Sequence, residues 1–274
     1  RKHEMIYIND LLYRVPAEII VQSEQPTGSL SDKDAAELAK SGVATQLVPY
    51  TDVIVQGGTT TICTLAFAII RIVVLLSCTL LQTRKLEPST IRYGAFQNCT
   101  ALKQITLPES MTFIEGGAFQ NCSALSSILV PQNVTYLGAS AFSGCTSLTS
   151  ATLPQAITRI SSGLFENCSS LTTVQASSAL TSIGSRAFAE TSALSSFTFP
   201  QTLTAVGAES FTGSGIVTAN LPQSVTYLGA GAFADCTKLV YAQVPAAIQA
   251  VRERTFRNCT ELKNVSIPEG IRYI

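Results

Sequence analysis

Eight phenylalanines, Phe96, Phe119, Phe142, Phe165, Phe188, Phe211, Phe233 and Phe256, recur at intervals of 23 residues, with one interval of 22. A period of this length constrains the fold more than any other feature, because it marks a coil that winds once and is then repeated. Three residues after each Phe stands Cys99, Cys122, Cys145, Cys168, Thr191, Ser214, Cys236 or Cys259, always a small side chain that fits a narrow coil. One coil reads Phe119, Cys122, Leu125, Ile128, Val130, Pro131, Val134, Leu137, Gly138 and Ala141 before Phe142 opens the next. The Leu-x-x-Ile-x-Val spacing followed by Pro suits a short strand with alternate side chains in the core, ended by the proline. Gly138 is expected to let the chain turn back. A single coil cannot bury its own apolar face, so the coils must stack, and the Phe column should contribute roughly 1.5–3 kcal/mol per buried ring.

This unit, Ala-Phe-Gln-Asn-Cys-Thr-Ala-Leu-Lys-Gln-Ile-Thr-Leu-Pro at residues 95–108, resembles that of the BspA-like leucine-rich repeat family. The resemblance covers about two-thirds of the chain and recurs eight times. It implies a leucine-rich-repeat solenoid, β-rich with short strands, turns and short helical pieces, in about eight repeats of 23 residues. It also implies a secreted or cell-surface protein of bacteria or parasitic protists, used in adhesion to host matrix or other cells. Two coils depart from the unit, the fourth with Ser177 where proline is usual and the sixth with a deletion after Ser214, and local distortion is expected at both.

Composition narrows the partners. Lys plus Arg and Asp plus Glu are equal at 18 each, so the charge balance asks for no nucleic acid. The 46% hydrophobic content argues for a folded chain, and the 13% charged content leaves solubility to hydroxyl and amide groups. The chain begins at Arg1 without an initiator Met and stops at Ile274 in mid-pattern, so a processed product or a C-terminally truncated fragment is expected.

Cysteines stacked in one column would bring Cα atoms within disulfide range, yet their Cβ vectors run parallel into the core. Free buried thiols acting as small hydrophobes are therefore expected. The only histidine is His3 and no Cys-x-x-Cys occurs, so no metal site and no cofactor is expected. Asn98, Asn121, Asn133, Asn167, Asn258 and Asn264 each open an Asn-x-Ser/Thr sequon, but four of these follow simply from a turn-forming Asn beside the repeat cysteine.

Three segments are distinguished: 1–61 as an accessory or capping segment, 62–92 as an apolar segment, and 93–274 as the solenoid. In the first, Ser31 and Asp34 resemble a capping box for a helix through Lys40 ended by Gly42. Residues 53–55 and 59–62 around Gln56-Gly57-Gly58 suit a hairpin. Residues 62–81 are apolar apart from Arg71 and hydroxyls, and two readings stand: a membrane span, or a worn first coil. Against the span, Arg84, Lys85 and Arg92 lie on its carboxyl side and would hold the repeats in the cytoplasm. For the coil, Ile70, Leu75, Cys78, Leu81, Leu86, Pro88 and Ile91 fall near the repeat template. Cys63 and Cys78 could pair if this part is extracellular.

No catalytic set is legible: there is no Ser-His-Asp combination and no phosphate loop, and Glu115, Glu166 and Glu209 read as solvated turn charges. A non-enzymatic binding module is expected, without a small-molecule substrate, whose partner is a host or cell-surface protein. Its candidate contact residues lie between the core positions of the strands: Thr172, Gln175, Val217, Thr218, Asn220, Val240, Tyr241 and Gln243. Tyr241 with Val240 and Val217 is the best local anchor, although a cross-strand packing pair would account for it as well. The alternatives are a structural spacer, whose hydroxyl ladder Leu129, Val240 and Tyr241 interrupt, and the targeting arm of a larger protein.

Overall fold

The computed structural model describes residues 89–273, together with the backbone of five short strands upstream, Ile6–Ile8, Leu11–Tyr13, Asp52–Val55, Thr61–Ile62 and Leu75–Leu76. The coil begins at the phenylalanine, where short-range bonds close two successive turns: the Cys122 amide donates to the Phe119 carbonyl at 3.1 Å and the Leu125 amide to the Cys122 carbonyl at 3.0 Å. The residues two before and two after each Phe adopt positive φ, as at Gly117 (60°) and Asn121 (60°) around Phe119. Asn and Gly tolerate this conformation best, which explains the asparagine beside the repeat cysteine.

Two strand columns follow in each coil. In the first, Gln104–Thr106, Ser150–Thr152 and Thr218–Asn220 show the alternation exposed, buried, exposed. Pairing is parallel and in register, one coil on the next: Ser150–Thr152 lies on Thr173–Gln175, and Tyr241–Gln243 lies between Thr218–Asn220 and Asn264–Ser266. The proline ends this strand and accepts a bond from three residues on, as Pro131 does from Val134 at 3.0 Å. The second column comprises two-residue strands, among them Phe113–Ile114, Tyr136–Leu137, Arg159–Ile160, Ser182–Ile183, Ala205–Val206 and Tyr227–Leu228.

Between the columns runs one lengthwise core. Seven of the eight Phe rings are fully buried, Phe256 alone being half-buried. Successive rings lie 5.0–6.0 Å apart and within 19° of parallel. Centroids this far apart at such small angles are offset stacks, the favoured arrangement for aromatic rings. Phe197 and Phe199 occupy strand positions that elsewhere hold Ile, Val, Leu or Ala, and meet Phe211 edge-on at 5.6 Å.

Several expectations are corrected. Among the described residues there is no helix; the anticipated short helical pieces are runs of turns, because each closes only with bonds three residues apart. Gly138 is not a left-handed turn residue. A Cβ there would lie 2.2 Å from the Gly116 nitrogen, so glycine is needed for close approach of adjacent coils. The coil at Ser177 is not distorted: Ser177 accepts from Leu180 at 3.1 Å as the prolines do, and its hydroxyl donates to the Gln155 carbonyl at 2.8 Å. The sixth coil absorbs its deletion at Gly215, where a Cβ would meet the Ser192 carbonyl oxygen at 2.3 Å, and Ile216 remains fully buried. The expected hairpin over 53–62 does not form, since Asp52–Val55 pairs parallel with Gln104–Thr106 and Thr61–Ile62 with Thr90–Ile91.

The expected helix over 31–40 and the Cys63 and Cys78 pair lie outside the described residues, and of 62–81 only the backbone of Ile62 and of Leu75–Leu76 is described. Among those described, no helix is long and apolar enough to cross a membrane.

Candidate functional site

The first strand column presents its side chains to solvent in rows set by the period-two alternation. Thr172, Gln175, Val217, Thr218 and Asn220 are exposed, while Val240, Tyr241 and Gln243 are half-buried. Parallel register places Thr218, Tyr241 and Asn264 in one row across three coils, and Asn220, Gln243 and Ser266 in the next. Val217 and Val240 join the patch one residue upstream, their main chains bonded at 2.8 Å. Six of the eight candidates thus form one contiguous cluster, whereas Thr172 and Gln175 sit two coils earlier. Toward the start of the solenoid the same face is hydroxyl-rich, and its hydroxyls bond inward. Thr149 donates to the Ser126 carbonyl at 3.3 Å and Thr172 to the Thr149 carbonyl at 3.0 Å. Leu129, 69% exposed, is the largest apolar interruption there.

The second strand column carries a face that reading the repeat did not single out. One position per coil holds Phe113, Tyr136, Arg159, Ser182, Ala205 and Tyr227, with the two end aromatics of that run exposed. The residue before it is threonine in each of these coils, and Thr135, Thr181, Thr204 and Thr226 each donate their hydroxyl to the carbonyl of the coil before. The signal was present as a recurring Thr-x-apolar triplet, hidden because its middle residue varies from coil to coil.

The cysteine column is buried in a chain of thiol bonds. Cys122, Cys145, Cys168 and Cys236 donate to the carbonyls of Phe96, Phe119, Phe142 and Phe211 at 3.0–3.2 Å. The six repeat cysteines are free thiols, as expected. Burial pushes Cys145 and Cys236 up to about 12, so these sulfurs stay protonated and unreactive at neutral pH. Among the described residues, no group of three or more His, Cys, Asp or Glu is placed to hold a metal ion.

Two of the acidic residues read as solvated turn charges have partners after all. Glu166 and Glu209 both bind Arg186, Glu166 through its Oε1 at 2.8 Å, tying three successive coils together on the surface. Their pairing was illegible because Arg186 occupies a left-handed turn position usually filled by Gly or Ser. Glu115 accepts the Tyr93 amide at 2.9 Å.

Coils of 23 residues stacked in parallel register, with a Phe spine and an open face of repeating side chains, define a leucine-rich-repeat solenoid. The family model for the BspA type leucine rich repeat region matches residues 77–195 and 181–274, and the chain belongs to that family. Among solved structures, it is similar to a leucine-rich repeat protein from Bacteroides ovatus at 25% identity and a TM-score of 0.53, over 68% of this chain and 60% of that one. It is also similar to the leucine rich repeat protein of T. pallidum at 29% identity and a TM-score of 0.49, over 53% of this chain and 68% of that one. The chain therefore spans less than two-thirds of the Bacteroides protein. A comparison with curated proteins finds no match.

Proposed function

We propose that this chain is a non-enzymatic recognition module, displayed at the cell surface or secreted, that adheres to a host or cell-surface protein through its first strand face. The observation that carries this reading is the cluster of Val217, Thr218, Asn220, Val240, Tyr241 and Gln243, held in register by parallel pairing on a rigid spine. Apolar and aromatic groups ringed by amides and hydroxyls have the make-up of a binding hot spot. Each flanking hydroxyl adds little alone, so affinity depends on several coils engaging together. Membership of the BspA-type family supports a surface setting.

The test is binding of the full chain to immobilised matrix proteins and to cells. Saturable binding that Tyr241→Ser and Val217→Ser weaken about tenfold, with the melting temperature kept, is the expected outcome. Absence of saturable binding to every surface tried would overturn the reading.

A second reading, a structural spacer, is favoured by one observation. The hydroxyls of Ser126, Thr149 and Thr172 are spent on carbonyls of the preceding coil, stiffening the rod. A spacer would retain its activity in both substituted variants.

A further inference from the structure

Tyr136 and Tyr227, 48% and 44% exposed, stand at equivalent positions of the second strand column four coils apart. Strands spaced about 4.8 Å apart put roughly 19 Å between them. The intervening residues at that position are Arg159, Ser182 and Ala205; the last two are small, and with Gly184 and Gly207 they floor a groove of about 640 Å³ between two aromatic walls, with Arg159 beside Tyr136. Beyond Tyr227 a second groove of about 570 Å³ continues to Tyr273, lined by Arg252 and Arg272. The Arg252 guanidinium lies 5.0 Å over the Tyr227 ring, which joins the two grooves.

The charge of this surface is one-sided. No Asp or Glu lines either groove. Arg159, Arg252 and Arg272 make no ion pair among the described residues, whereas Arg186 and Arg257 on other surfaces are paired with carboxylates. In a chain of zero formal net charge, three unpaired guanidiniums along one face make a local positive field that favours an anionic partner. The threonine row adds a second requirement. Thr135, Thr158 and Thr226 line the grooves, and Thr135 and Thr226 donate their protons to carbonyls of the preceding coil, which leaves their lone pairs free to accept.

The occupant must therefore supply hydroxyl or amide donors, carboxylates for arginine, and flat apolar faces for tyrosine. An extended peptide rises about 3.3 Å per residue and falls out of step with strands about 4.8 Å apart. A sugar unit in an extended β-linked polysaccharide is close to that spacing, presents hydroxyl donors, and has a C–H face that packs on an aromatic ring. We infer that the second strand face, from Tyr136 to Tyr273, binds an acidic polysaccharide laid along the solenoid axis, with uronate carboxylates on Arg159, Arg252 and Arg272.

The experiment titrates the full chain with a short oligomannuronate, a β-linked polyuronate, by calorimetry, with a neutral cello-oligosaccharide and poly-L-glutamate as comparators. Expected is saturable oligomannuronate binding that rising salt weakens and that exceeds either comparator by about tenfold or more. Arg159→Gln and Tyr227→Ala should each weaken it about tenfold without lowering the melting temperature, since both side chains are exposed. Tyr241→Ser, on the other strand face, should leave it unchanged, which keeps this site separable from the protein-binding surface. Equal or tighter binding of poly-L-glutamate, no binding of oligomannuronate, or loss of binding in Tyr241→Ser would each overturn the assignment.

Discussion

The thiol of Cys145 donates a hydrogen bond to the main-chain carbonyl of Phe119, 3.2 Å away in the preceding coil. The same relationship recurs for Cys236 and Phe211 at 3.0 Å, so the cysteine and phenylalanine columns are one bonded unit.

Burial gives this unit a pH dependence. It raises the Cys145 and Cys236 thiols from 9.0 to about 12. Below about pH 9 both folded and unfolded chains keep these protons, and stability does not respond. Between about pH 9 and 12 the unfolded chain releases them while the folded chain holds them, so unfolding is favoured and stability falls as pH rises. The melting temperature should be flat near neutrality and decline above about pH 9. The Cys145→Ser, Cys236→Ser variant should decline less steeply. Thr191 and Ser214 show that the column accepts a hydroxyl. Identical slopes in the two proteins would remove the thiols as the cause.

Phe142 lies between Phe119 at 5.5 Å and Phe165 at 5.7 Å, fully buried. Phe142→Ala should destabilise by about 3–5 kcal/mol in urea unfolding, through lost transfer energy and the cavity left in a stacked column. Phe256 is half-buried and stacks only on Phe233, so Phe256→Ala should cost clearly less. A loss under about 1 kcal/mol at Phe142 would deny the ring its core role.

Ser210 occupies a column that holds alanine in five coils, Ala95, Ala118, Ala141, Ala187 and Ala232, and Leu164 and Thr255 in two others; its buried hydroxyl has no hydrogen-bond partner, whereas that of Thr255 donates to the Arg252 carbonyl. Ser210→Ala should stabilise the chain by about 1 kcal/mol, by removing an unsatisfied polar group without leaving a void. A lower unfolding midpoint in the variant would show that the hydroxyl has a bond.

The core was legible because it obeys a strict period. Phe142, Cys145, Leu148, Ala151, Leu153, Ile157 and Ile160 each recur at nearly fixed offsets and are all buried. What escaped was set by the space between coils rather than within one. Arg186 and Glu209 take positive φ at a position where Gly94 and Gly117 do the same, so no residue type marks that turn. The second strand face escaped for a related reason: its position holds an aromatic only in some coils, Tyr136 and Tyr227 being separated by Arg159, Ser182 and Ala205, and only stacking turns these residues into one groove. On the first face, periodicity identified the outward positions correctly, while which of them bind is a property of a partner.

Gly138 and Gly144 separate the two reasons for glycine in this fold. At Gly138 an added Cβ would lie 2.2 Å from the Gly116 nitrogen and 2.5 Å from the Glu115 carbonyl carbon, both main-chain atoms of the preceding coil. Nothing there can rotate away, so Gly138→Ala must spread two coils and should cost about 1–3 kcal/mol. At Gly144 the requirement is a φ of 73°, and Asn98, Asn121 and Asn167 meet it at equivalent positions with φ of 60–63°. The atom nearest to a Cβ at Gly144 is the Asn121 side-chain oxygen, which can turn aside. Gly144→Asn should therefore change stability by only a few tenths of a kcal/mol, about what a surface substitution costs. Urea midpoints of the two variants, measured side by side, check the contrast: equal losses would mean that turn conformation, and not the approach of neighbouring coils, governs both positions.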